Sequence, residues 1–446
     1  MSDVSRRRFL YAAGATAMGS IVLKGCSGNP PTTGSATSPA AVPAVNSGTG
    51  QAPETTSARI GYIPIFESAP LLIAQEKGFF AKHGMSDVQV LKQSSWGSTR
   101  DNLVIGAAGG GIDGAQFQMP MPYLIGEGKI TTQNQKIPMY VLLQTSTQGN
   151  GIAISNKHLG KNIHLDLSKA KGYFEELKAK GTPFTAAYTF PAANQELWIR
   201  YWLAAGGINP DTDVKLITVP PAQTVANMTT GTMDGFSTGD PWPYRILAEN
   251  IGFMAALTAQ IWPNHPEEYF AMRADWVDKH PKAAKALIKG VIEAQQWCDK
   301  PENRKELAGI LAKRQNFNLP VEILSPPLVG DYKMGDGQAE IKDTKMGPLF
   351  WKDAVSTVSY PFKSHDTWFL TENVRWGMLP GDTDIKALVD KTNREDLWKE
   401  AAKEISIADA DIPKETSRGP EKFFDGITFD AANPSEYLKA VKIKKV

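Results

Sequence analysis

The sequence predicts an α/β protein built on mostly parallel sheets covered by helices. Three observations carry this. From about residue 59 onward, short apolar runs suited to buried strands alternate with helix-periodic segments. Glycine and proline punctuation closes or opens several of these segments. The helices fall between the strands, as crossover connections require, rather than in a separate block.

Residues 60–65 (Ile-Gly-Tyr-Ile-Pro-Ile) form the first short apolar run and read as a buried strand. Residues 69–80 read as a helix closed near Gly78. Residues 88–91 are the next strand, a helix runs through 99–105, and 111–115 is strand-like. Residues 139–143 and 151–154 are further strands. A second unit starts with a strand at 184–189. A helix follows from Asn194, a good capping residue, to Ala205, where Gly206 and Gly207 stop it. Residues 214–219 are a strand, Pro220 and Pro221 open another helix, and 234–239 lead into a loop. Residues 275–297 read as one long amphipathic helix with Pro281 in its first turn. Past Leu319 the pattern gives way to aromatic and Gly/Pro-rich segments, expected to wrap the folded body.

Composition narrows the function classes. The 446 residues suffice for two or more lobes, and 42% are hydrophobic, as in ordinary folded proteins. Lysine and arginine number 48 against 47 acidic residues, a net charge of +1 that offers nothing to a nucleic acid. The two cysteines, Cys26 and Cys298, exclude a disulfide scaffold and a cysteine zinc site. Cys298 shares an apolar helical face with Leu287, Val291 and Ala294 and reads as a core thiol.

Residues 1–26 read as an address. A basic cluster, a short Ala/Gly-rich apolar stretch and a small residue before a cleavage point are the parts of a signal peptide. Ser5-Arg6-Arg7-Arg8-Phe9-Leu10 resembles a twin-arginine signal. Leu23-Lys24-Gly25-Cys26 resembles a lipobox, in which Cys26 is acylated. Residues 27–57 are mostly Ser, Gly, Pro, Thr and Ala, the composition of a flexible tether. The expected location is the periplasmic side of the cytoplasmic membrane, held by the lipid anchor alone.

Signals of covalent chemistry are lacking. The six histidines show no H-x-x-x-H spacing, and neither a nucleophile elbow nor a P-loop occurs. Gly109, Gly111 and Gly114 fit G-x-G-x-x-G, but they follow a helix pattern and read as a tight turn. His365-Asp366 reads as a structural hydrogen-bonded pair beside Trp368 and Phe369. No enzyme is expected.

Several phrases carry a resemblance. Ala69-Pro-Leu-Leu-Ile-Ala-Gln-Glu-Lys-Gly-Phe-Phe80 and Gly111-Ile-Asp-Gly-Ala115 resemble substrate-binding proteins for sulfonates and nitrate. Lys92-Gln-Ser-Ser-Trp96-Gly-Ser-Thr-Arg-Asp-Asn102, Asp240-Pro-Trp-Pro-Tyr-Arg245 and Trp368-Phe-Leu-Thr-Glu-Asn-Val-Arg-Trp-Gly377 are similar to cyanobacterial nitrate- and bicarbonate-binding lipoproteins. The resemblance implies a two-lobed periplasmic-binding-protein fold (Venus-flytrap). Lobe 1 is expected to comprise 58–147 and 251–446, and lobe 2 148–250. It also implies a monomeric receptor serving the permease and ATPase of an ABC importer.

In nitrate-binding members a histidine and a lysine touch the ligand. Here Gln195 and Glu268 stand at those positions, as in the bicarbonate-binding subfamily, where calcium accompanies the ligand. The resemblance assigns bicarbonate contacts to Trp96, Asn150, Thr189, Gln195, Gly239 and Glu268, and calcium contacts to Thr189, Gln195 and Glu268. A carboxylate facing an anion about 4 Å away, at an effective dielectric near 20, is repelled by roughly 4 kcal/mol. A bridging divalent cation reverses that sign, and oxygen donors suit calcium. Bicarbonate also carries a proton to donate, which nitrate lacks. A nitrate or nitrite receptor is the competing expectation.

Overall fold

The computed structural model describes residues 52–445. The leader, Cys26 and the tether up to residue 51 lie outside the described residues. The tether ends earlier than expected, because Ser57 already pairs with Asp87 in the first sheet.

Ten strands build two five-stranded sheets. They are β1 (Ser57–Tyr62), β2 (Asp87–Lys92), β3 (Gly114–Gln118), β4 (Met139–Thr147), β5 (Asn150–Ser155), β6 (Thr185–Tyr188), β7 (Lys215–Thr218), β8 (Gly235–Gly239), β9 (Gly252–Leu257) and β10 (Pro266–Arg273). The first sheet has the order β2-β1-β3-β10-β4 and the second β7-β6-β8-β5-β9. In the first, β1 is parallel to β2 and β3, while β10 runs antiparallel to both its neighbours. In the second, β6 is parallel to β7 and β8, while β5 is the reversed strand. The two reversed strands are the ones by which the chain changes sheets. Gln148 and Gly149, at φ 59° and 84°, turn β4 into β5. The helix Thr258–Ile261 and residues 262–265 carry β9 back into β10.

The predicted class is therefore present, with one antiparallel strand in each sheet. Several boundaries differ. Residues 234–239, expected to lead into a loop, contain the fully buried strand β8. The second sheet also takes β9, so it extends to Leu257 and not only to residue 250. The third strand starts at Gly114, not at 111. Gly111 lies in the preceding turn, where a Cβ would stand 2.0 Å from the carbonyl oxygen of Asn102. The G-x-G-x-x-G match is that turn, and a strand rather than a helix follows it.

The expected long helix is two helices, Ala274–Lys279 and Pro281–Asp299. Proline disfavours helical geometry in the residue before it, and His280 sits at φ −132°, ψ 58°. Asn194 is the first helical residue and Ala193 the cap. The Asn194 side chain instead reaches Glu267. Cys298 is fully buried as expected, with Leu287, Ile288 and Val291 of the same helix, and burial pushes its thiol pKa up.

The C-terminal part packs on both sheets' elements. The helix Lys363–Arg375 lays Trp368 on Trp198 of the helix Asn194–Ala205, ring centroids 5.2 Å apart. Asp366 accepts hydrogen bonds from Tyr123 (2.5 Å), Tyr269 and Asn393 (2.7 Å), tying this helix to β10 and to the segment after β3. His365 and Asp366 thus have separate partners rather than each other. The Nδ1–H of His365 donates to Gln144 Oε1 at 3.2 Å. No helix among the described residues is long and apolar enough to cross a membrane.

Candidate ligand site between the lobes

In open α/β sheets the carboxyl ends of the strands face the ligand crevice. Here those ends meet the starts of the two reversed strands. Gln118 ends β3, Thr189 follows β6 and Gly239 ends β8, while Asn150 opens β5 and Glu268 lies near the start of β10. Glu67 sits in the single turn Phe66–Ser68 that follows β1. Gln195 is in the first turn of its helix. Trp96 begins the helix Trp96–Ile105, whose start is fixed by Ser95 accepting the amide of Ser98 at 3.1 Å.

A continuous relay links these groups across the seam. Gln118 Nε2 donates to Thr189 Oγ1 at 2.6 Å, and the Thr189 hydroxyl donates to Gln195 Oε1. Gln195 Nε2 donates to Asn150 Oδ1 at 3.1 Å, and Asn150 Nδ2 donates to Glu67 Oε1 at 3.1 Å. The relay starts and ends in the first lobe and passes through three residues of the second. Backbone contacts hold the same seam. Phe66 N donates to Asp240 O at 2.9 Å, Asn194 N to Met119 O at 2.7 Å, and Trp242 Nε1 to Pro64 O at 2.8 Å. The lobes are closed, and Glu67, Gln118, Gln195 and Glu268 have no exposed surface.

The predicted residues are thus placed as follows. Asn150, Thr189 and Gln195 are bonded directly to one another. Gly239 leaves room for Glu67, since a Cβ there would stand 3.1 and 3.2 Å from its two carboxylate oxygens. Glu268 accepts from Gln116 Nε2 at 2.5 Å. Trp96 is buried and makes no hydrogen bond to the other five. Sequence reasoning missed Glu67, Gln116 and Gln118.

Buried polar atoms almost always find partners. Those at this seam without one include the carboxylate oxygens Glu67 Oε2, Glu268 Oε1 and Asp240 Oδ1 and the amide oxygen Gln118 Oε1; the buried indole Nε1–H of Trp96 also has none. These unsatisfied acceptors call for a partner that brings positive charge or protons.

The electrostatics agree. Burial, followed by repulsion from Glu268 and Glu267, holds the Glu67 carboxyl well above the usual carboxylate range. Burial and Glu267 do the same to Glu268, opposed by the Gln116 bond. Burial raises the neighbouring Asp240 to about 7. His265 is pushed down to about 3 by burial, so it is neutral here. Among the described residues, neither Glu67 nor Glu268 makes an ion pair with a lysine, arginine or histidine, whereas the adjacent Glu267 lies 3.2 Å from His265.

Among the described residues, no three His, Cys, Asp or Glu side chains gather as a metal cluster. A soft-metal site is therefore not formed. Two unpartnered carboxylate oxygens with an amide oxygen beside them do fit a hard cation of the calcium type, which completes its shell with neutral oxygens and with ligand atoms.

Two α/β lobes joined by paired crossings, with unsatisfied polar groups buried in the seam, define a two-lobed solute-binding receptor. The NMT1-like family model matches residues 51–312, and the chain belongs to that family. It is 52% identical to the bicarbonate-binding protein CmpA of Synechococcus elongatus over 447 residues, covering 99% of this chain and 98% of that protein. The crystal structure of the periplasmic nitrate-binding protein NrtA from Synechocystis PCC 6803 superposes with a TM-score of 0.84 at 51% identity. The match covers 88% of this chain and all of that one. The bicarbonate transport ATP-binding protein CmpC of Synechocystis is 33% identical over 88% of this chain and 56% of its own length.

Proposed function

We propose that this protein is the extracytoplasmic receptor that captures bicarbonate, together with a calcium ion, and delivers it to an ABC importer. The observation that carries the reading is the pair Glu67 and Glu268, buried in the closed seam with no ion pair to either. A bare anion entering there meets two carboxylates in a medium where like charges repel strongly. A bound divalent cation neutralises that charge and attracts the anion.

Glu268 contributes the carboxylate from β10. Thr189 and Gln195 contribute hydroxyl and amide oxygens from the other lobe, so a cation held by all three draws the lobes together. The Trp96 indole N–H donates to the anion, and an acceptor oxygen of the seam takes the proton that bicarbonate carries. Asn150 orients Gln195, and Gly239 keeps space for Glu67. Capture is reversible and involves no covalent step, so the protein acts as a receptor and not as an enzyme. Acylation of Cys26 and the tether after it would hold it at the periplasmic face of the cytoplasmic membrane. The permease and ATPase of the importer are its partners.

The similarity to NrtA keeps nitrate as the rival ligand. Equilibrium dialysis of radiolabelled bicarbonate against the purified protein with calcium separates the two. Bicarbonate is retained and a hundredfold excess of nitrate fails to displace it; displacement by equimolar nitrate would favour the rival.

A further inference from the structure

Glu67 belongs to the seam, yet neither the sequence reading nor the resemblance gives it a role. Its Oε1 is used by Asn150 of the opposite lobe, and its Oε2 is buried without a partner. The end of β8 is shaped around it, because only a residue without Cβ at 239 leaves both carboxylate oxygens free of contact near 3 Å. Glu268, the other carboxylate of the seam, is also fully buried and has one oxygen unpartnered. Both belong to the first lobe, whereas Asn150, Thr189, Gln195 and Gly239 belong to the second.

We propose that Glu67 is the second carboxylate of the cation site and a positioning residue that makes closure of the lobes depend on the cation. The inference rests on the receptor reading above and deepens it. In the open receptor both carboxylates face water. Closure strips that water, and a charge left buried without a counter-ion costs several kcal/mol. A divalent ion between Glu67 and Glu268 supplies that counter-ion and lets the closed form keep both carboxylates ionised. Asn150 is the latch that senses the result, since it can bond Glu67 only when the lobes meet.

Glu67→Gln separates this role from a merely structural one. The amide oxygen of Gln can still accept from Asn150, so a residue needed only for that bond is replaced without effect. Calcium affinity is read by calorimetry, and closure by the X-ray scattering radius of gyration with bicarbonate, in calcium and in chelator. Wild type contracts only with calcium. The variant is expected to bind calcium at least about tenfold more weakly and to need correspondingly more calcium before it contracts, because Glu268 alone then holds the ion. Glu67→Asp, which restores the charge, is expected to restore contraction at the wild-type calcium concentration. If Glu67→Gln binds calcium as wild type does and contracts at the same calcium concentration, this inference is overturned while the receptor reading stands. If wild type itself binds no calcium, both fall, and the wild-type arm alone reveals it.

Discussion

At the scale of single residues, function turns on which polar atoms are left unpaired in a closed seam. Glu268 faces Gln116 with one oxygen and nothing with the other. Glu268→Lys places an ammonium there and removes the need for a metal. We expect calcium binding to be lost and anion binding to become the same in calcium and in chelator, measured by titration calorimetry. Gly239→Ala is a finer probe. Its methyl group would press on both oxygens of Glu67 at 3.1 and 3.2 Å. Ligand affinity should drop about tenfold while the melting temperature stays within a few degrees, by calorimetry and thermal scan. Asn150, Thr189 and Gln195 were legible through the resemblance, and the fold joins them in one relay. Glu67 was not legible. Nothing in Phe66-Glu67-Ser68 tells a buried carboxylate from a solvated one; only the arrival of β8 and β5 beside it makes the difference.

At the scale of elements, the strands that were misread are those whose surroundings override their pattern. β10 begins Pro266-Glu267-Glu268, a stretch that carries no strand signal. Register shifts on either side of Glu268 bend the strand. Glu267 then turns to Asn194 and to Trp198 at 3.2 Å, and Glu268 to Gln116. β8 lacks alternation because both its faces are covered, and its small residues let the opposite lobe approach. The strands β1, β2, β4, β5, β6 and β7 were legible because their apolar runs are long or cleanly bounded.

The helix Lys363–Arg375 carries a pH-dependent contribution of its own. Burial and the nearby Arg418 push His365 down to about 4. A base with a lowered pKa in the fold binds fewer protons folded than unfolded. Its contribution is whole above about pH 6.5 and is lost as pH falls toward 4. Between pH 7 and pH 5 the loss is about 2 kcal/mol. Urea midpoints should therefore show the gap between wild type and His365→Gln shrinking by about that amount at pH 5; a constant gap would contradict it.

At the scale of the whole molecule, two sheets of matching strand order each receive one reversed strand from the chain that links them. The links, Gln148-Gly149 and residues 258–265, carry the chain between the sheets, and the ligand groups sit on strand ends that meet at the seam. The C-terminal part backs this arrangement through the Trp368–Trp198 stack. Trp368→Ala should cost about 3–5 kcal/mol of stability in urea unfolding without altering which ion is bound. The resemblance anticipated two lobes and the blurred pattern past Leu319 a C-terminal wrapping region, but the place where the chain returns to the first sheet required the pairing of β9 with β5. The claim on which the rest depends is that an anion enters this acidic seam only alongside a divalent cation. Titrating the purified protein with bicarbonate in calorimetry, once with calcium and once with chelator, tests it directly. The account predicts saturable binding with calcium and at least about a hundredfold weaker binding in chelator; equal affinity in the two would contradict it.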